Sequence, residues 1–224
     1  MTNRLKEMGE TKARRIMVGA AIAAAEGKGF KLKRQPGRGL TAVYDAMKNG
    51  EQSVVSIRTT RDRWFAFPTQ EHGKKWKTLD KSDQVIVAAV DDPADPQAVD
   101  VYLFPADEVR KRFDASYAAR IANGQTVKDD YGMWVMLDKG DDANASQVGH
   151  SLAVDYPAIA RYTLDELEAG STVEVEGSAE APDKEERVTP LNTVADVLSF
   201  ARERIAVLTG MPVDGIKLDL KMGV

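Results

Sequence analysis

The chain has 224 residues, 43% of them hydrophobic and 29% charged, and it contains no cysteine. That composition predicts a globular fold with one main core, and it excludes disulfides, thiolate nucleophiles and cysteine-based zinc sites together. The net charge of −4 hides a division: residues 1 to 80 hold 17 Lys+Arg against 8 Asp+Glu, or +9, and residues 81 to 224 hold 14 against 27, or −13.

Such asymmetry points to a polyanionic partner on the basic side, and it equally fits two halves that neutralise each other within one fold. No run of eighteen apolar residues occurs, so no membrane partner is expected. The segment M-T-N-R-L-K-E-M-G-E carries acids and no apolar h-region, which sets a cytoplasmic location as the expectation.

In chain order, T-K-A-R-R-I-M-V-G-A-A-I-A-A-A-E (11–26) predicts a helix that buries Ile16, Ala20 and Ala23 and stops at Gly27. F-K-L-K-R then alternates Phe30 and Leu32 with basic residues, the pattern of a half-exposed strand, before the breaker P-G-R-G. L-T-A-V-Y-D (40–45) is a second strand. The turn Asn49-Gly50 leads into a third, with Val55, Ile57 and Thr59 on one face and Val54, Ser56 and Arg58 on the other. Arg63 to Pro68 gives a fourth, and 69–83 a loop with a short helical turn.

The run D-Q-V-I-V-A-A-V-D-D is apolar throughout and predicts a strand buried on both faces, followed by the strand V-D-V-Y-L-F-P. After Pro105 a second helix is expected, with Val109, Phe113, Tyr117 and Ile121 recurring every four residues up to Gly124. M-W-V-M-L-D is a further strand, and Thr163 with Glu166 forms a capping-box pattern. These elements divide the chain into a core over 1–176, an acidic linker over 177–190 and a helix–strand element over 191–224.

Over roughly residues 10 to 125 the order of helix, strand, strand with an acid at its end, and strand ending in a basic residue resembles the restriction-endonuclease-like superfamily, the PD-(D/E)XK nucleases. The resemblance implies an α+β fold with a mixed central sheet flanked by helices. It also implies an Mg²⁺ site in which Asp45 is the first carboxylate and S-I-R supplies the second motif. There Ser56 stands where the family carries an acid and Arg58 where it carries lysine. A hard cation loses a charged ligand at Ser56, and Arg58 holds its proton too firmly to act as a base. A degenerate site that binds without cutting, and needs no cofactor, is therefore the leading expectation. The enzymatic alternative is a Mg²⁺-dependent DNA nuclease with Asp45 and Glu51 as ligands and Arg58 positioning the phosphate.

The basic residues supply the binding chemistry. Lys31, Lys33, Arg34 and Arg38 surround P-G-R-G, Arg58, Arg61 and Arg63 follow, and Lys74, Lys75 and Lys77 come next, with Trp64 and Trp76 interleaved. Lys/Arg clusters of this kind hold phosphate backbones, and an aromatic beside them stacks on an unpaired base, so nucleic acid, DNA foremost, is the expected partner. The same lysines fit a guarded sheet edge, and Trp64 fits a core. A third expectation is a scaffold protein that self-associates through its basic and acidic surfaces.

The remaining motifs carry less. G-H-S-L-A (149–153) lacks the strand–turn–helix context and the downstream histidine of a nucleophile elbow. His72 and His150 are too far apart for a zinc spacing, and Asp138, Asp141 and Asp142 lack the ligand pattern of a calcium loop.

Overall fold

The structure is a computed structural model that describes residues 4–36, 42–140 and 143–170. Arg38, Asp141, Asp142, the linker expected over 177–190 and the helix–strand element expected over 191–224 lie outside the described residues. The fold is α+β, as expected.

Its first long helix, α2 (Glu10–Gly27), follows the short α1 (Arg4–Glu7). It buries Ala13, Ile16, Met17, Ala20, Ala21, Ala24 and Ala25, a stripe of small residues that lets the helix sit close on a sheet. Ala23, assigned to that stripe from the sequence, faces solvent. The stop also falls later than expected. Gly29, at φ 85°, takes the left-handed conformation and lets the Phe30 N–H reach back to the Ala25 carbonyl at 3.1 Å.

The strands are β1 (Lys31–Arg34), β2 (Ala42–Lys48), β3 (Glu51–Thr60), β4 (Trp64–Gln70), β5 (Lys75–Trp76), β6 (Gln84–Val90) and β7 (Ala98–Pro105). A 3-10 turn at Leu79–Lys81 precedes β6. The chain continues with α3 (Ala106–Ala122), β8 (Gly132–Met136), α4 (Leu152–Asp155), β9 (Ala160–Thr163) and α5 (Leu164–Gly170). Six strands form one sheet in the order β1-β2-β3-β6-β7-β9, in which only β3 and β6 run parallel. A second, antiparallel sheet has the order β5-β4-β8.

Each face of the six-stranded sheet carries its own core. On one, α2 packs on Tyr44, Ala46, Val55, Ile57, Ile86, Ala88, Val90, Val99 and Val101. On the other, Val85, Val87, Ala89, Tyr102 and Phe104 meet Phe65, Phe67, Met133 and Val135 from the second sheet and Val109 and Phe113 from α3. Strand β6 is thus buried on both sides, which is why its sequence is apolar without alternation. The capping box is formed as read: Glu166 accepts from the Thr163 N–H at 2.7 Å, and the Glu166 N–H donates to the Thr163 hydroxyl at 3.2 Å. In α3 the four-residue stripe departs from expectation at its end, where Ile121 is exposed and Ser116 is buried instead.

Candidate nucleic-acid interface

The β2–β3 hairpin turns on Asn49 and Gly50, both at positive φ, and this two-residue turn fixes the register that decides the proposed metal site. Asp45 lies opposite Val54 and Glu51 opposite Lys48. Side chains alternate along a strand, so Asp45 shares the face of Val54 while Glu51 shares that of Val55. The two carboxylates are on opposite faces of the sheet and cannot hold one cation between them. Asp45 sits in the middle of β2 rather than at a strand end, and its Oδ1 accepts from Gln35 Nε2 at 2.6 Å. Among the described residues no group of three or more His, Asp or Glu side chains gathers at metal-binding range.

The expected arginine surface is dispersed. Arg58 turns inward, over the Phe67 ring at 4.2 Å, and donates to Ser56 Oγ at 2.8 Å, the Ile57 carbonyl at 3.0 Å, the Ala66 carbonyl at 3.3 Å and Thr78 Oγ1 at 2.6 Å. All four partners are neutral. Burial, with a smaller repulsion from Arg14, pushes its pKa down to about 10. Ser56 is thus the acceptor that seats Arg58, and both side chains are engaged within the fold.

Arg63 adopts φ 64° in the β3–β4 turn and is likewise consumed internally. Its Nε and Nη2 grip the two oxygens of Asp138, both at 2.7 Å, and its remaining donors reach the Val90 carbonyl and the Tyr102 hydroxyl. We expect Arg63→Ala to cost about 2 kcal/mol of stability in urea unfolding, because Asp138 and two buried acceptors lose their donor. Arg63→Lys should recover only part of it, since a point charge cannot match both carboxylate oxygens. Arg61 is exposed, 3.9 Å from Glu10, and Trp64 packs edge-on against His150 at 4.9 Å between ring centres.

Lys31, Lys33 and Arg34 remain on the surface along the outer strand β1, Arg34 on the face that carries α2 and Tyr44, and Lys31 and Lys33 on the opposite face with Asp45, so that they meet only around the sheet edge. The structure adds to them cations not singled out from the sequence: Lys12, Arg14 and Arg15 on α2, with Lys28 in the turn. Helix and strand are antiparallel neighbours joined by that turn. The strand runs back along the helix, and Arg34 comes near enough to Arg14 for their charges to repel. Burial, then the positive charge of Arg34, holds Arg14 below the ordinary arginine range. The Tyr44 phenol, opposite Arg34, is raised by burial and partly relieved by the same two arginines. Counting charge along these segments would have exposed the set: residues 11–36 hold seven Lys+Arg and a single Glu.

These cations differ from the rest in their surroundings. Lys12, Arg15, Lys28, Lys31, Lys33 and Arg34 take no part in the ion pairs formed among the described residues. Of the described arginines from Arg61 onward, only Arg120 lacks a carboxylate partner; Arg61, Arg63, Arg110, Arg112 and Arg161 each have one. The chain matches no protein-family model, no curated protein and no solved structure.

Proposed function

We propose that the chain binds nucleic acid through phosphate contacts made by Lys31, Lys33 and Arg34 together with Lys12, Arg14, Arg15 and Lys28, and that it does so without cutting. The observation that carries this reading is the concentration along α2, its turn and β1 of cations that form no ion pair among the described residues (Lys12, Arg15, Lys28, Lys31, Lys33 and Arg34), whereas Arg4, Arg61, Arg63, Arg110, Arg112 and Arg161 are each held by a carboxylate. The nuclease-like arrangement of a helix, an antiparallel three-strand meander and a strand parallel to the third supports a scaffold of that kind. The opposed faces of Asp45 and Glu51 speak against catalysis by that pair.

The test is fluorescence anisotropy of labelled 20-mers, duplex and single-stranded, titrated from 50 to 300 mM salt. Roughly four to seven phosphate contacts give a log–log slope of about −4 to −6 on duplex, at ~0.9 per contact. A slope near zero, or no binding at 50 mM, overturns the reading. Plasmid incubated with Mg²⁺ should stay supercoiled.

A further inference from the structure

The second sheet turns Phe65, Phe67, Met133 and Val135 inward, so the alternate residues of β4 and β8 point out. Trp134 is on that outward face, opposite Ala66, and is 48% exposed. A tryptophan there has a reason to be asked for, since Trp76 is fully buried and Trp64 is occupied with His150. The indole does not stand off into solvent. It leans back along its own strand, with Nε1 3.5 Å and Cε2 3.8 Å from the position a Gly132 side chain would take. Gly132 and Ala66 are the small residues beneath and beside it. One side of the ring is therefore backed by the sheet and the other is open.

A cation lies at the same place. Arg120, from α3, runs along the free edge of β8, where its Nη2 donates to the Trp134 carbonyl at 3.4 Å and to the Ser146 carbonyl at 3.0 Å. Both partners are neutral, and Arg120 forms no ion pair among the described residues. Burial lowers its pKa, as expected of a guanidinium without a counter-charge. The described acids nearest in sequence, Asp114, Asp129 and Asp130, are engaged elsewhere: Asp114 accepts from Trp76 Nε1 at 2.8 Å, Asp129 accepts from the His72 N–H, and Asp130 lies 3.6 Å from Lys77.

We propose that Trp134 is a stacking platform for an unpaired nucleobase, with Arg120 drawing the adjoining phosphate, so that single-stranded nucleic acid is the preferred ligand class. This rests on the nucleic-acid reading above and specifies it. Trp134 is the one exposed side chain of β4 and β8, while Trp64, Pro68 and Met136 on the same face are half-buried, so the open area suits one flat partner, whereas a protein interface needs a contiguous exposed apolar patch of several hundred Å². An arginine held at the Trp134 backbone, with no ion pair among the described residues, favours an anionic partner. Duplex bases are stacked on one another and unavailable to it.

The experiment uses the full chain and two labelled probes, (dT)20 and a 20-bp duplex, at 100 mM salt. Trp134→Ala is expected to weaken (dT)20 binding roughly tenfold, the scale of one base–aromatic stack, and to change duplex binding less than twofold. Trp134→Phe keeps most of the affinity but abolishes the quenching of intrinsic tryptophan fluorescence by (dT)20, which places the ring at the contact. Equal affinity of the wild type and Trp134→Ala for (dT)20, or equal losses on both probes, overturns the stacking site while the phosphate reading stands. A wild type that binds neither probe overturns both.

Discussion

Replacing Lys31, Lys33 and Arg34 together by alanine is expected to lower affinity for a 20-mer roughly a hundredfold at 100 mM salt and to flatten the salt slope on duplex by about 3. The argument is one of free charge. A cation already held by a carboxylate of its own chain must give up that partner before it can displace a counterion, whereas these three form no ion pair among the described residues. The matched control is Lys75→Ala with Lys77→Ala, which removes two exposed cations paired with Glu71 and Asp130 and should change the slope by less than one. Equal losses in the two variants would show that the response reports only net charge. All three strand residues are exposed on a four-residue edge strand, so unfolding by heat should be unchanged within a few degrees. Lysines on such an edge also discourage sheet-to-sheet association. A triple variant that aggregates by light scattering while keeping its affinity would assign these residues to edge protection and remove them from the interface.

Much of the fold was legible because its signals are local or nearly so. The unbroken apolar run of β6 announced a strand covered on both sides, the Asn49-Gly50 pair announced a turn before β3, and Thr163 with Glu166 announced the start of α5. The fates of individual arginines were not legible, because their partners are distant in sequence. Arg63 finds Asp138 after 75 residues. Arg58 is drawn inward by Thr78, Ala66 and Phe67, all brought over it by the β4–β5 excursion between β3 and β6. An alternating strand says which face a residue takes, and not what will be laid on that face. Strand β9 was missed for a related reason: four residues carry no periodicity, and what holds Arg161 there is a pair of carboxylates distant in sequence, Asp100 directly opposite it on β7 and Asp91 at the end of β6. Trp134 was within reach of the sequence, since M-W-V-M puts it out of phase with Met133 and Val135.

Phe113→Ala is expected to cost about 4 kcal/mol of unfolding free energy, the largest single effect among these substitutions. The ring is fully buried at the centre of the second core, with Phe65 at 5.5 Å, Phe67 at 5.4 Å and Trp76 at 5.3 Å between ring centres, each in an edge-to-face arrangement. Truncation removes the transfer free energy of the ring, three aromatic contacts, and the filling of a site walled by strands and therefore slow to collapse. Urea unfolding read by tryptophan fluorescence measures the loss, and a change below about 1 kcal/mol would show that the site relaxes freely. Phe113→Leu should cost about half as much, because it keeps most of the volume and none of the ring geometry. The two variants also separate stability from function. Phe67, which packs on Phe113, is the ring beneath the Arg58 guanidinium, so loosening it disturbs a residue that was expected to touch phosphate and is instead internal. Phe113→Leu, still folded at 25 °C, should therefore bind a 20-mer as the wild type does. A salt slope reduced in Phe113→Leu would return Arg58 to the interface.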